Sequence, residues 1–174
     1  TADTIAACSG FTHALDHARL KIKESGGYYL VAGAETLTKI TDYAEINCDL
    51  FGDGCGLVIL GPTEREGIIA TEFASDVAGL DYIYNDRLNK LRMPQGPLVF
   101  KKATRGMIDI AHKLIEKTNL EREKLKKENP QYELKLISKN EIKLYIPHQA
   151  NGKILDYIEE KEDPEKMGKI YRNI

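Results

Sequence analysis

Alternating helical and strand-like patterns predict an α/β layered fold with at least one mainly parallel or mixed sheet. Three features carry that expectation. Apolar residues at Phe11, Ala14, Leu15, Ala18 and Ile22 fall at helical spacing and stop at Gly26-Gly27. The nearly continuous apolar run from Tyr28 to Ala34 then fits a strand covered by helices on both faces. Farther along, a helical stripe at Ala103, Met107, Ile110, Ala111, Leu114 and Ile115 precedes a second short apolar run, Leu144 to Ile146.

Taken in order, Thr1 to Ala7 reads as the end of a strand running into a turn at Cys8, and a helix follows over about residues 9–25. The next strand ends at Glu35. Phe51-Gly52-Asp53-Gly54-Cys55-Gly56 places three glycines in six positions and predicts a tight turn before a strand at Leu57 to Leu60. It does not have the spacing of a phosphate loop: no Lys follows, and a strand rather than a helix comes next. Gly61-Pro62 closes that strand, and Gly67 to Ala74 suggests another. Residues 75–98 show no sustained period and read as a long excursion. A helix is predicted from Val99 to about residue 118. The Lys- and Glu-rich stretch from Glu121 to Asn140, broken by Pro130, reads as a solvated surface excursion. Leu144 to Ile146 is then a buried strand presenting Pro147-His148, and Ile154, Leu155 and Ile158 make the apolar face of a last helix.

A chain of 174 residues can bury an ordinary core, and length alone suggests one domain. Lys and Arg total 25 against 27 Asp and Glu, a net charge of −2 that gives no general attraction to nucleic acid or to an anionic membrane. No window reaches about eighteen uninterrupted apolar residues, and Thr1-Ala2-Asp3 lacks the basic and apolar parts of a signal peptide. The expectation is a cytoplasmic protein. Three cysteines without a paired CxxC spacing suggest neither a disulfide framework nor a metal site, and Cys48 and Cys55 read as small buried residues.

Cys8 is different. It lies where a helix begins, facing unpaired backbone N–H groups and the positive end of the macrodipole, which favour a charged sulfur. Ile146-Pro147-His148-Gln149-Ala150-Asn151 supplies a His and an Asn far downstream, and a Cys with a distant His and Asn is a pattern for acyl chemistry. A His after a buried strand is otherwise an ordinary core residue, and Asn151 alone would be an N-cap.

The segments Asp3 through Ala6-Ala7-Cys8-Ser9-Gly10-Phe11, Gly33-Ala34-Glu35, Phe51 to Gly56, Val99-Phe100-Lys101 and Ile146 to Asn151 occur in the order in which they stand in the beta-ketoacyl-acyl-carrier-protein synthase III family, which the chain resembles over nearly its whole length. The resemblance implies a thiolase-like layered αβαβα fold, present in part, and a homodimer. Residues 1–60 would be the end of the N-terminal half and carry the nucleophile. Residues 61–174 would be the start of the C-terminal half and carry the His. The chain is then expected to be the middle of an enzyme, nearly inactive alone. Cys8 would take an acyl group from acyl-CoA, with acetyl-CoA the donor that the resemblance implies first, and His148 would assist condensation with malonyl on acyl carrier protein to give a 3-oxoacyl carrier protein, starting fatty acid synthesis. No cofactor is implied, acyl-CoA being a substrate. Asn151 would contact the pantetheine arm, and Lys153 stands where relatives often place an Arg that helps bind carrier protein.

Two departures accompany the resemblance. The family's second catalytic Asn, in a Gly-Asn motif, has no match, since Tyr171-Arg172-Asn173-Ile174 has a different context. Asp42 to Asn47 also lacks the Arg that many relatives stack on the adenine of CoA. Rival expectations are a related condensing enzyme of the hydroxymethylglutaryl-CoA synthase or polyketide-starter type, and a non-catalytic subunit or scaffold.

Overall fold

The computed structural model describes residues 1–64, 67–131, 134–162 and 168–173. The chain divides into two compact units: Thr1–Thr71 with Asn85–Arg92, and Glu72–Tyr84 with Met93–Ile174.

In the first unit a 3-10 turn, Ala7–Ser9, leads into helix α1 (Gly10–Ser25). The helix stops where expected. Gly26 and Gly27 take φ of 67° and 84°, a region that costs glycine nothing, and the Gly26 N–H donates to the Ile22 carbonyl at 2.9 Å. Strand β1 (Tyr29–Thr36) pairs antiparallel with β2 (Asp53–Leu60), from Tyr29 opposite Leu60 to Thr36 opposite Asp53. The parallel pairing anticipated from the α/β alternation is not made by β1 and β2, and in this unit it is limited, among the described residues, to an isolated bridge between Thr41 and Leu91. The connection between β1 and β2 has 3-10 turns at Leu37–Lys39 and Cys48–Leu50 but no crossover helix, and the chain returns in the opposite direction.

The glycine cluster also departs from its expected tight turn. Gly54 and Gly56 lie inside β2, opposite Glu35 and Gly33, so the ladder overrides their turn preference. Asp53 anchors the start of β2 by accepting from the Thr38 N–H at 2.9 Å and the Thr38 hydroxyl at 2.7 Å, which holds its carboxyl below the ordinary range. Helix α1 packs on β1 through buried Ala18 and Val31. A Cβ on Gly33 would stand 3.2 Å from the Phe11 ring, so glycine sets how closely the helix approaches. The expected cover on both faces of β1 is not found among the described residues: Leu30 is 65 % exposed, beside exposed Leu57 and Ile59. Cys55 is exposed and Cys48 half-buried, against the expectation that both are buried.

Thr1 to Ala6 form no strand, because no described segment pairs with them. Gly67 to Ala74 likewise form none. That segment is held by a side chain instead, the Thr71 hydroxyl donating to Asp16 of α1 at 2.8 Å. After the two-residue strand β3 (Tyr84–Asn85), a turn leads to β4 (Leu91–Arg92). Arg92 ties this turn to the loop after β1, donating to Asp86 at 2.8 Å, Asp42 at 2.6 Å and Glu45 at 2.9 Å.

The second unit is built on α2 (Gly96–Glu128), with Pro97 in its first turn. The helix runs well past residue 118, since Lys, Arg and Glu are good helix formers, and it ends before Pro130. The described part of the following excursion is pinned to the helix. Asn119 donates to the Ile137 carbonyl at 2.9 Å and accepts from its N–H at 2.7 Å, and buried Arg122 donates to the Lys135 carbonyl. Tyr132 and Glu133 of that stretch lie outside the described residues, as do Met167 and Ile174.

Helix α3 (Gly152–Lys161) buries Ile154, Leu155 and Ile158, the predicted face, against Phe100, Met107, Ile108, Tyr145, Ala150 and Ile170. Strand β5 (Leu144–Tyr145) pairs parallel with β6 (Lys169–Ile170). A Cβ at Gly168 would run into the backbone of Ile142 and Lys143, so glycine permits this approach. The run Leu144 to Ile146 is not buried as predicted: Leu144 is 48 % and Ile146 69 % exposed, with a single neighbouring strand among the described residues. Among the described residues no helix is long and apolar enough to cross a membrane.

Candidate active site

Cys8 is exposed, one residue ahead of Ser9, the N-cap of α1. Its turn is closed by the Ser9 N–H and hydroxyl, both donating to the Ala6 carbonyl, at 3.1 Å and 2.9 Å. Ala7, immediately before the cysteine, has φ of 44°. A left-handed alanine costs on the order of 1 kcal/mol and marks a backbone bent to present the next residue.

A groove of about 690 Å³ opens beside this turn. Ala6, Ala7, Gly10 and Phe11 line it next to the cysteine, and β1 forms its far wall. That volume is in the range of small-molecule sites. The apolar floor comes from the same Phe11, Ala14 and Ala18 that the helical period singles out.

Among the predicted site residues, His148, Asn151 and Lys153 are neighbours in the second unit, and Cys8 lies in the first. His148 follows β5 and is an exposed residue, with part of its ring covered by protein. The protein atoms packed around the rest of the ring desolvate it and lower its pKa from 6.5. The neutral imidazole is thus favoured near pH 7, with one ring N–H available to donate. Between its folded and unfolded pKa the unfolded chain binds more protons, so stability is full above about pH 6.5 and declines as pH falls toward the folded value. His148→Gln is expected to flatten this component in urea titrations across that window. An unchanged slope would show that the imidazole is not desolvated.

Asn151 caps α3, its Oδ1 accepting from the Lys153 N–H at 2.8 Å. Among the described residues the cap occupies Oδ1 and no hydrogen bond from Nδ2 is seen. Asn151→Ala is expected to cost about 1 kcal/mol in chemical denaturation, and a loss below about 0.3 kcal/mol would argue against the cap. Lys153 is exposed in the first turn of α3.

Three residues of consequence carried no signal in the sequence. Gln149 bridges from the His148 loop to the residues after β6. Arg172 joins those residues to Asp156 and Glu159 of α3. Arg92 brings a cation to Asp42 and Glu45, in the loop that itself has no Arg, and its three carboxylate partners raise its already high pKa. Each acts through pairings distant in sequence, which no local pattern announces.

The family model for 3-oxoacyl-[acyl-carrier-protein (ACP)] synthase III matches residues 2–77. The chain is 40% identical over 166 residues to a beta-ketoacyl-[acyl-carrier-protein] synthase III of Staphylococcus epidermidis, covering 92% of this chain and 47% of that protein. It is 39% identical over 164 residues to the Staphylococcus aureus protein of the same name, covering 91% and 46%. The chain thus spans about half the length of the curated relatives it matches. The crystal structure of 3-oxoacyl-[acyl-carrier-protein] synthase III from Aquifex aeolicus superposes with a TM-score of 0.78 at 33% identity, over 97% of this chain and 50% of that one. A Pseudomonas aeruginosa structure with a TM-score of 0.72 and 24% identity shares the fold, over 95% and 52%. The fold is therefore the thiolase-like α/β layered one in part, and along the length that it spans the chain is similar to 3-oxoacyl-[acyl-carrier-protein] synthase III proteins.

Proposed function

We propose that this chain carries the nucleophilic and the charge-stabilising residues of an acyltransferase that condenses a short acyl-CoA, acetyl-CoA in the simplest case, with malonyl-acyl-carrier-protein. The observation that carries the reading is the exposed Cys8 on a bent turn at the head of α1, beside an apolar-floored groove. In the loading step the Cys8 sulfur attacks the thioester carbonyl, the bond to the CoA sulfur breaks, and CoA leaves as a thiol with the proton given up by Cys8. Malonyl thioester then loses carbon dioxide. The electron pair of the broken C–C bond forms a new one to the acyl carbonyl, and the Cys8 sulfur leaves. Neutral His148 donates its ring N–H to the malonyl thioester oxygen as negative charge develops there. Asn151 offers its Nδ2 to the pantetheine arm, and Lys153 presents a charge to acidic carrier protein without the fork of an Arg.

In this reading residues 1–60 end the first half of the architecture and residues 61–174 begin the second. The working form is a cytoplasmic homodimer.

The test is a chimera joining residues 1–174 to the remaining portion of the S. epidermidis synthase. It is expected to take label from acetyl-CoA onto Cys8, and Cys8→Ala to take none. A chimera that melts cooperatively yet acquires no label at Cys8 overturns the reading. Size-exclusion of the same chimera reports the dimer.

A further inference from the structure

The Gln149 side chain uses both ends of its amide. Its Nε2 donates to the Pro147 carbonyl at 2.9 Å and to the Tyr171 carbonyl at 3.1 Å, and its Oε1 accepts from the Asn173 N–H at 3.0 Å. One planar group thereby joins the peptide before His148 to the residues following β6. The junction is reinforced on either side: the Tyr171 N–H donates to the Tyr145 carbonyl at 2.8 Å, and Arg172 reaches Asp156 at 2.9 Å and also Glu159 on α3. Among the described residues, none of these ties involves the imidazole itself, and the ring is placed through its backbone.

We infer that Gln149 is the positioning residue of His148: its three-way amide clamp sets the Pro147–Gln149 backbone and, through it, the direction and packing of the ring. The task so supported rests on the function proposed above, but the clamp does not. A shorter or apolar side chain at this position leaves two carbonyls and one N–H to find water, and water at the loop enters the packing that desolvates the ring.

The experiment is NMR on the intact 174-residue chain, and it requires no substrate, so a failure of the proposed reaction leaves its result unaffected. Gln149→Met keeps the length and volume and removes every hydrogen bond. The Asn173 amide is expected to exchange about fivefold to tenfold faster than in the parent, and the His148 titration midpoint to rise toward 6.5. His148→Gln assigns the His148 resonance. Asn119→Ala, which breaks a comparable amide clamp on α2, supplies the control and is expected to leave the His148 midpoint in place. Should Gln149→Met fail to fold, Gln149→Asn, too short to span the junction, takes its place. Faster exchange at Asn173 with an unmoved His148 midpoint reduces Gln149 to a structural brace and overturns the inference, as does unchanged exchange.

Discussion

In a chimera of residues 1–174 with the remainder of the S. epidermidis synthase, His148→Ala is expected to leave acetyl loading of Cys8 intact and to slow condensation with malonyl carrier protein by about 10²–10³-fold. The split follows from where charge develops. In the proposed reaction, loading is a thioester exchange at the Cys8 sulfur, just ahead of α1. Decarboxylation instead places negative charge on the malonyl oxygen, where a preorganised N–H donor is worth about 3 kcal/mol. The lowered pKa of His148 keeps the ring neutral near pH 7. It can therefore donate without carrying a charge that would bind the malonyl carboxylate and hold the carbon dioxide in place. Single-turnover loading and steady-state condensation, measured on the same preparation, separate the two steps. Equal losses in both would assign His148 to loading or to folding, and no loss in either would remove it from the chemistry.

Leu155→Ala is expected to destabilise the chain by about 2–5 kcal/mol. Leu155 is fully buried, flanked by Ile154 and Ile158, and packed among residues from α2, β5 and β6. Truncation removes the transfer free energy of the lost carbons and leaves a cavity that neighbours on separate elements cannot close together. Against a total stability of about 5–15 kcal/mol for an ordinary protein the loss is large. Leu57→Ala provides the contrast. At 60 % exposure on β2 it is expected to change stability by no more than about 0.5 kcal/mol. Urea unfolding followed by circular dichroism measures both, and comparable effects at the two positions would contradict this account of the core.

The helices were readable from local pattern because an apolar stripe repeats every turn. Phe11 to Ile22 and Ile154 to Ile158 announce themselves in this way, and glycines at 26 and 27 mark an end that needs positive φ. The strands were readable as segments but not as a sheet. Gly54 and Gly56 have the composition of a turn, yet pairing with β1 extends them. Gly67 to Ala74 has the composition of a strand, yet without a ladder partner it is held through Thr71. Helix α2 outran its apolar stripe because Lys, Arg and Glu are good helix formers and because Asn119 and buried Arg122 tie the added turns to residues 135 and 137.

The sequence by itself supplied the candidates for chemistry, a cysteine at a helix start and a histidine and an asparagine in one short motif, and the order of motifs shared with the synthase III proteins. These are local or ordered along the chain, and a linear reading can find them. Only the tertiary structure decided the direction of the β1–β2 pairing, the bend at Ala7, the desolvation of His148 and the amides and guanidinium groups that Gln149, Asn119 and Arg92 set against distant backbone or carboxylates. A hydrogen bond or a layer of packed atoms depends on which segments meet in space, and no spacing within either segment encodes that meeting.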